Sequence, residues 1–333
     1  MKSKVLGIVL LALAMIVSAC GGGSNSAGGD NGDGSGGSSQ SLVFGTGGTS
    51  GTYYPIGGAL KPVLEQSDSI GNITVESTGA SVANIQNIQD GLNQMAIVMS
   101  DVAYDAVEGK GQFEGKKVDV QALAGMYQNV VQIVATEDSG IESIEDLKGK
   151  KVGVGKVGSG VEQSAQKVLE AVDLTYDDMS KVTHTGYADS VQEMKNGNLD
   201  AAFFTSGVPN SNITDLMQQN DIHFVEIKGD TAEALKEKYP FYKDYTIPAG
   251  DEAKYNLDNE VTTVGIQNMI VVSKDLDEET VKDLTKRYYD YLGTDEVAVG
   301  ALKQLDRDEI AKGLIAPLHP GAKAFYEEQG ILE

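Results

Sequence analysis

Apolar and polar residues alternate along the first third of the chain with two different periods. Short apolar runs predict buried strands, and segments in which apolar residues recur at every third or fourth position predict helices that bury one face. The predicted elements of this region are strands at 42–44, 73–76 and 94–99 and helices at 53–65, 82–92 and 100–107. Strands that alternate with helices at this spacing predict a parallel sheet covered on both faces.

The same alternation continues to the end of the chain and predicts a second α/β region. Two strands are expected at 118–124 and 130–136, on either side of a loop. The next predicted elements are a helical turn at 144–147, strands at 151–155, 181–184, 201–205 and 222–227, and helices at 161–172, 188–196, 210–219 and 231–238. A long apolar stretch at 261–272 then predicts a strand that returns the chain to the first region. Helices at 278–292, 295–303 and 322–328 complete the molecule.

The pattern predicts an α/β fold of two lobes, each with its own core. Lobe I is assigned residues 42–132 together with 266–333, and lobe II residues 133–265. A chain of 333 residues is long enough for two domains of ordinary size. Pro62 falls inside the first predicted helix, where we expect a kink because proline removes one backbone hydrogen bond.

A glycine-rich loop connects an early strand of each lobe to the helix that follows it. The loop in lobe I is GTGGTSG at 45–51, and in lobe II the sequence VGVGKVGSG at 152–160 leads into the next helix. Glycines let backbone N–H groups point at a ligand above the helix N-terminus, where the helix dipole favours negative charge. Ligands of open α/β sheets bind beyond the carboxyl ends of the strands. Two such loops facing each other across a cleft predict a clamp for one small anion.

Other chemistries have little support in the sequence. Gly153, Gly155 and Gly158 match the dinucleotide pattern G-x-G-x-x-G, but with 40 glycines in the chain a chance match is expected. The three histidines lie too far apart in sequence for a zinc motif. There is no G-x-S-x-G elbow, no G-K-[ST] sequence and no nucleophile–base pair in the loops. We therefore expect a binding protein with no catalytic residue, no cofactor and no metal.

The first 20 residues have the pattern of a bacterial lipoprotein signal peptide. Lys2 and Lys4 precede an apolar run at 5–17, and Val-Ser-Ala-Cys at 17–20 resembles a lipobox, with a plain signal peptide as the alternative. Cys20, the only cysteine, is then the predicted lipidation site, and the protein is expected on the extracytoplasmic face of the cell membrane. Residues 21–41 are rich in glycine and serine and predict a flexible tether.

The charge of the chain narrows the choice of partners. The formal net charge is −23, and it becomes −25 when Lys2 and Lys4 are removed with the signal peptide. Such an acidic chain is not expected to bind nucleic acid, because the phosphate backbone repels it. Arginine is almost absent, so a carboxylate ligand is expected to be held by backbone N–H groups and hydroxyls rather than by a guanidinium.

Six motifs in the same order resemble one family, the TAXI-type solute-binding subunits of tripartite ATP-independent periplasmic (TRAP) transporters. The motifs are FGTGGTSGTYYPIGG, STGASVANI, AIVMSDVAYDA, IESIEDLKGKKVGVGKVGSG, AAFFTSGVPN and PLHPGAKAFYEEQGIL. The resemblance covers residues 42–332. It implies a two-lobed type II periplasmic-binding-protein fold that closes on a dicarboxylate, keto acid or acidic amino acid. The bound ligand would then pass to a TRAP permease in the membrane.

The resemblance also implies which residues contact the ligand. Carried onto this sequence, they are Thr46, Gly47, Gly48, Tyr53, Thr78, Ala80, Ser81, Ser100, Gly158, Ser159, Gly160, Thr205, Ser206 and Pro209. Lys156 departs from the family pattern, which usually has a small or neutral residue there. Its ammonium faces either solvent or the cleft, and in the cleft it would meet the distal carboxylate of the ligand. An enzyme or a stand-alone sensory receptor on the same fold remains the alternative function.

Overall fold

The computed structural model describes residues 39–250 and 255–332. The predicted signal peptide, Cys20 and almost all of the tether lie outside these residues. The first elements are β1 (Gln40–Gly45), α1 (Tyr53–Leu64), β2 (Ile70–Glu76), α2 (Ser81–Gln89), β3 (Met95–Met99), α3 (Ser100–Glu108) and β4 (Val120–Thr136). Strand β1 thus begins inside the segment assigned to the tether, and the side chain of Gln40 donates to Asp277.

The remaining elements follow the predicted alternation of strands and helices. They are β5 (Lys151–Gly153), α4 (Gly160–Glu170), β6 (Lys181–Thr183), α5 (Tyr187–Lys195), β7 (Ala201–Ser206), α6 (Ser211–Met217), β8 (Ile222–Val225), α7 (Gly229–Lys238), β9 (Lys243–Ile247), β10 (Val261–Ser273), α8 (Glu278–Leu292), α9 (Gly300–Lys303) and α10 (Pro320–Glu328). Within the described part of the chain, no helix has the length and apolar character needed to span a bilayer.

The strands form one mixed sheet, which is parallel at its two ends and antiparallel in the middle. Its order is β2-β1-β3-β10-β4-β7-β5-β6, with β8 paired to β4 and β9 paired to β10. The long strands β4 and β10 pair with each other in the centre, while β3 extends the first half and β7 the second. The predicted lobe boundaries, at 132/133 and 265/266, fall inside these two long strands.

Three apolar clusters fill the molecule. One cluster lies in lobe I between β1, β3, α1, α8 and α10, and a second lies in lobe II between β7, α5 and α6. The third runs along one face of the sheet through both lobes and includes α2, α3, α4 and α7. Packing is close at Gly57 in α1, where an added Cβ would lie 2.6 Å from the Thr46 methyl carbon. Each lobe therefore has an apolar cluster of its own. The two lobes are joined by β4 and β10 and by the cluster that they share.

Three predicted elements differ from the structure. Residues 125–129 are part of β4 and not a loop, because Gln128 and Asn129 pair with Gln267 and Ile266 of β10. Strand β9 was not predicted, since its burial pattern is mostly exposed. The helix expected over 295–303 is only α9. Before α9, the Tyr291 hydroxyl bonds the backbone of residues 296 and 298, and these groups are then not available to a helical turn.

Helix α1 continues through Pro62 and ends at Leu64. Only two residues of α1, Val63 and Leu64, follow the proline, so the helix ends within one turn of it. Lys61 donates to the Ile73 carbonyl and to the Glu65 carboxylate, which ties this end of α1 to β2.

Candidate ligand-binding site

A cavity of about 320 Å³ lies between the two lobes, at the carboxyl ends of the parallel strands. Its lobe I wall consists of the loops after β1 and β2. Its lobe II wall consists of the loops after β5 and β6 and the end of β7. Tyr127 and Asn129 of β4 close it at the strands that join the lobes. A cavity therefore lies where the sequence analysis expects the site, with both glycine-rich loops in its wall.

Four helices, two from each lobe, begin at this cavity. Their first residues, Tyr53 of α1, Ser81 of α2, Gly160 of α4 and Tyr187 of α5, all line it. Within the described part of the chain, no side chain caps α1, α2 or α5, whereas the Ser159 hydroxyl caps α4 by accepting from the Glu162 N–H. The positive ends of the four helix dipoles converge at the cavity, an arrangement that favours the binding of an anion.

A buried hydrogen-bond network holds the lobe I wall in shape. Asn84 is fully buried, and its amide donates to the carbonyls of Thr46 and Ile97. The Thr78 hydroxyl lies between Asn84 and the Thr46 carbonyl, and it accepts from the Ala80 N–H. The loops after β1 and β2 are thus fastened to each other beneath the cavity. A preformed wall lowers the ordering cost when a ligand binds.

Several buried polar atoms at the cavity have no hydrogen-bond partner among the described residues. They are Asn129 Oδ1, Thr205 Oγ1 and the Tyr127 hydroxyl, although the Thr52 hydroxyl lies beside the last. A buried polar atom without a partner costs roughly 1–3 kcal/mol. Burial also raises the pKa of the Tyr127 hydroxyl, so this group stays protonated and can donate. The cavity therefore offers both donors and an acceptor to a polar ligand.

Two side chains of opposite charge lie together at the exposed part of the cavity wall. Lys156 Cε is 3.0 Å from a Cβ built on Gly186, and Asp189 Oδ2 is 3.9 Å from the same point. Both Lys156 and Asp189 line the cavity while remaining exposed. The part of a ligand that reaches this wall can therefore meet a cation, an anion or both.

Most of the predicted contact residues lie together in the cavity wall. Those that line it are Gly47, Gly48, Tyr53, Thr78, Ala80, Ser81, Lys156, Ser159, Gly160, Thr205 and Ser206. Whether each of them contacts a ligand stays a prediction.

Four predicted contact residues do not line the cavity. Thr46 is fully buried, and its hydroxyl is used by the Glu76 carbonyl at 2.5 Å. Ser100 instead lines a second cavity, of about 580 Å³, near the middle of β4 and β10. The Gly158 N–H donates to the Glu162 carboxylate, and the Gly158 carbonyl accepts from the Ala83 N–H. Pro209 follows a cis peptide bond and lies outside the lining residues.

Sequence reasoning missed other residues of the wall. Asn129 and Tyr127 lie in the segment that was predicted as a loop between two strands, so no side chain could be assigned a direction there. Tyr187 and Asp189 lie in the first turn of α5, shortly after the strand predicted at 181–184. The rule that ligands bind beyond the carboxyl ends of strands could have identified them. The Tyr187 hydroxyl donates to the Thr205 carbonyl and fixes the ring against β7.

The lobes contact each other on both sides of the cavity. The Ala83 N–H donates to the Gly158 carbonyl at 3.3 Å, and the Asn212 amide donates to the Ser50 carbonyl at 2.8 Å. Helix α4 approaches lobe I so closely that a Cβ on Gly160 would overlap Met99 Sδ and lie 2.9 Å from Ser81 Oγ. The structure is therefore a closed arrangement of the two lobes.

A buried ion pair adds to this closed arrangement. Lys167 of α4 lies 2.5 Å from Asp101 and 3.5 Å from Asp105, both of α3. Burial acts to lower the pKa of Lys167, but the two carboxylates outweigh it and leave the pKa raised. Among residues 39–250 and 255–332, no group of three or more histidine, cysteine, aspartate or glutamate side chains is arranged to hold a metal ion.

Comparison with known proteins places the chain in a family. Residues 44–330, most of the chain, match the NMT1-like family. The chain belongs to the NMT1-like family, a periplasmic solute-binding family. The arginine-binding extracellular protein ArtP of Bacillus subtilis is 28% identical over 207 residues, which cover 61% of this chain and 72% of ArtP.

A solved structure with a TM-score above 0.5 shares this fold. A protein of Bordetella bronchiseptica RB50 is 16% identical and has a TM-score of 0.52, covering 87% of this chain and 81% of that protein. The alkanesulfonate-binding protein SsuA from Xanthomonas axonopodis pv. citri, bound to MOPS, is 13% identical and has a TM-score of 0.46. The match covers 88% of this chain and 80% of SsuA. The two-lobed type II periplasmic-binding-protein fold implied by the sequence resemblance is confirmed.

Proposed function

We propose that this NMT1-like protein captures one small polar ligand with an anionic group between its lobes and delivers it to a membrane permease. The observation that carries the proposal is the meeting of four helix N-termini, two from each lobe, at one cavity. Each lobe alone supplies two of the four helix N-termini. Binding and closure are then the same event, because a ligand gains its full set of hydrogen bonds only when the lobes meet.

The available hydrogen bonds are sufficient without arginine. A hydrogen bond to a charged group contributes roughly 1.5–3 kcal/mol. Four or five such bonds, reduced by the costs of closure and desolvation, reach the roughly −8 kcal/mol of a micromolar dissociation constant. Backbone N–H groups at the helix N-termini, hydroxyls such as those of Ser81 and Thr205, and Lys156 are numerous enough to supply them.

The cavity and the sequence resemblance support a small set of ligand classes. The sequence motifs favour a dicarboxylate, a keto acid or an acidic amino acid, for which Lys156 is the predicted partner of the distal carboxylate. Asp189 beside Lys156 also suits a cationic distal group. Because ArtP is described as arginine-binding, arginine belongs among the ligands to be tested.

Binding without turnover fits the cavity better than catalysis does. Among the described residues that line it, there is no histidine, cysteine or glutamate, and no hydroxyl is paired with a base. An enzyme or a sensory receptor on the same fold is the alternative. The TRAP type of the permease and the anchoring of the protein through Cys20 at the extracytoplasmic membrane face rest on the sequence motifs, and we propose both on that basis.

A thermal-shift screen tests this function. Purified protein is heated with each of a panel of dicarboxylates, keto acids and amino acids, including arginine, and with sulfate as a control for non-specific anion effects. We expect at least one organic ligand to raise the melting temperature in a saturable way, because a ligand that binds only the folded state stabilises it by mass action. The ligand should be recovered unchanged. Turnover of the ligand, or no stabilisation by any member of the panel, would contradict the proposal.

A further inference from the structure

A β-bulge between β4 and β10 is the starting point of a directed chain of hydrogen bonds. The register pairs Gln267 with Gln128 but Met269 with Gly125, so Met126 and Tyr127 have no partner residue in β10. Bulges of this kind re-aim side chains near functional sites. Here the bulge leaves the Tyr127 carbonyl outside the ladder, and the side-chain amide of Asn268 donates to it at 2.9 Å.

This first bond fixes the direction of all the bonds that follow. A backbone carbonyl only accepts, so the Asn268 Nδ2 must face it and the Asn268 Oδ1 must face the opposite way. The Tyr53 hydroxyl donates to this Oδ1 at 2.5 Å. Burial raises the pKa of Tyr53, so the hydroxyl keeps the proton that it donates. The Tyr53 oxygen in turn accepts from Asn129 Nδ2 at 3.3 Å.

The last member of the chain reaches the cavity. Because Asn129 Nδ2 is used by Tyr53, the Oδ1 of the same amide is the atom left free, and it is buried without a partner among the described residues. Asn129 lines the cavity, whereas Asn268 is fully buried behind Tyr53 and does not. An amide oxygen accepts and cannot donate.

We infer that Asn268 is a positioning residue that, through Tyr53, holds the Asn129 carbonyl oxygen toward the cavity and so makes the site select ligands with an N–H or O–H donor. The inference rests on the proposed function, since the ligand must occupy this cavity. An amino or hydroxyl group satisfies the Asn129 oxygen. A keto group at the same position is an acceptor facing an acceptor, and we expect it to bind at least tenfold more weakly.

The chain of bonds is tested first in the absence of ligand. Side-chain amide resonances of ¹⁵N-labelled protein are recorded for the wild type and for Tyr53→Phe, with Asn129→Asp to assign the Asn129 signal. We expect the Asn129 amide signal to move in Tyr53→Phe, because its acceptor is lost. The control Tyr187→Phe removes a cavity hydroxyl that donates to the Thr205 carbonyl, and it should leave this signal in place. An unmoved Asn129 signal in Tyr53→Phe would overturn the inference.

Ligand selectivity is the second test. Calorimetry compares L-glutamate with 2-oxoglutarate and L-arginine with its 2-oxo analogue, in the wild type, in Tyr53→Phe and in Asn268→Leu, which removes the oxygen that accepts from Tyr53. We expect the amino member to bind at least tenfold more tightly to the wild type. Both substitutions should reduce that ratio, because the Asn129 amide is then free to turn. Tyr187→Phe should change the affinity for both members of a pair together.

The outcomes separate this inference from the proposed function. Equal or tighter binding of the 2-oxo member to the wild type overturns the inference while leaving a solute-binding role intact. An unchanged ratio of the two affinities in both variants also overturns the inference and leaves a solute-binding role intact. If neither pair binds, the result counts against the ligand classes of the proposed function, and the Asn129 resonance in Tyr53→Phe alone decides for or against the chain of bonds. If Tyr53→Phe does not fold, Asn268→Leu replaces it in both tests, because the Tyr53 hydroxyl then loses its acceptor and can turn toward Asn129.

Discussion

Ala80, the residue directly before α2, has a backbone conformation that only glycine adopts without strain. Its φ is 73° and its ψ is −148°. Such a conformation costs an ordinary residue of order 1–3 kcal/mol and persists where the surroundings fix it. Here the Thr78 hydroxyl accepts from the Ala80 N–H. Ser81, the next residue, is the first residue of α2 and lines the cavity. The strain therefore lies at the site itself, where it orients the first N–H groups of α2.

Substitution of Ala80 by glycine should stabilise the protein. We expect Ala80→Gly to raise the free energy of unfolding by about 1 kcal/mol, because relief of strain outweighs the entropy that glycine loses on folding. Urea denaturation measures the change. The control Ala234→Gly, inside helix α7, should lower the free energy of unfolding by roughly 0.5–1 kcal/mol. Equal destabilisation by both substitutions would show that Ala80 carries no strain.

At the scale of single residues, the sequence predicted the cavity wall well where glycine and hydroxyl residues cluster in loops. It predicted the wall poorly where the direction of a single side chain determines whether that side chain lines the cavity. The loop residues Gly47, Gly48, Ser159 and Gly160 line the cavity as expected. Asn129 could not be predicted, because its direction depends on a bulge formed with a strand more than a hundred residues later in the chain. Nothing in the local pattern of β4 signals such a bulge.

Helix α10 depends on a neutral histidine at its N-terminus. His319 Nδ1 accepts from the Gly321 N–H at 3.2 Å, and its Nε2 donates to the Leu276 carbonyl at 3.1 Å. The side chain is buried, and this burial lowers the pKa of His319. Protonation of Nδ1 would remove the acceptor that caps the helix. The cap is therefore stable only while the ring is neutral.

The cap predicts a pH dependence of stability. In the unfolded chain, His319 binds a proton below about pH 6.5, whereas in the folded protein it does so only at lower pH. The free energy of unfolding should therefore fall as pH drops below about 6.5. His319→Asn keeps a capping oxygen but does not titrate, so its loss of stability between pH 7 and pH 5 should be smaller. Urea denaturation at several pH values measures both slopes, and identical slopes would contradict this role for His319.

At the scale of elements, periodicity predicted the helices well and the central strands less well. Helix α8 has the predicted bounds, since its apolar stripe is regular over fifteen residues. Strand β4 was predicted as two strands, because Gln128 and Asn129 interrupt its apolar run. Long-range pairing with β10 overrides that interruption, and a single sequence does not reveal such pairing.

The whole molecule is organised for closure across its two long strands. Lobes I and II share β4 and β10, and they meet again where Lys167 of α4 is buried against the two carboxylates of α3. They meet a third time at Gly160, which lies against Met99 and Ser81 with no room for a side chain. The carboxyl ends of the strands face each other between these contacts and enclose the cavity. The overall architecture and the place of the site were predictable from the order of strands and helices, whereas the contacts between lobes were not.

Ligand affinity with a side chain placed at Gly160 tests the closure mechanism most directly. Valine at this position should hold the lobes apart, because its Cβ would overlap Met99 and crowd Ser81. The control Gly300→Val also changes the first residue of a helix, α9, but an added Cβ there has no atom of the described residues within 4 Å. Calorimetry with the best ligand of the thermal-shift screen compares both variants with the wild type. We expect Gly160→Val to weaken binding by at least about tenfold, the equivalent of roughly 1.4 kcal/mol, and Gly300→Val to leave it unchanged. Wild-type affinity in a folded Gly160→Val protein would contradict capture of the ligand by closure of the two lobes.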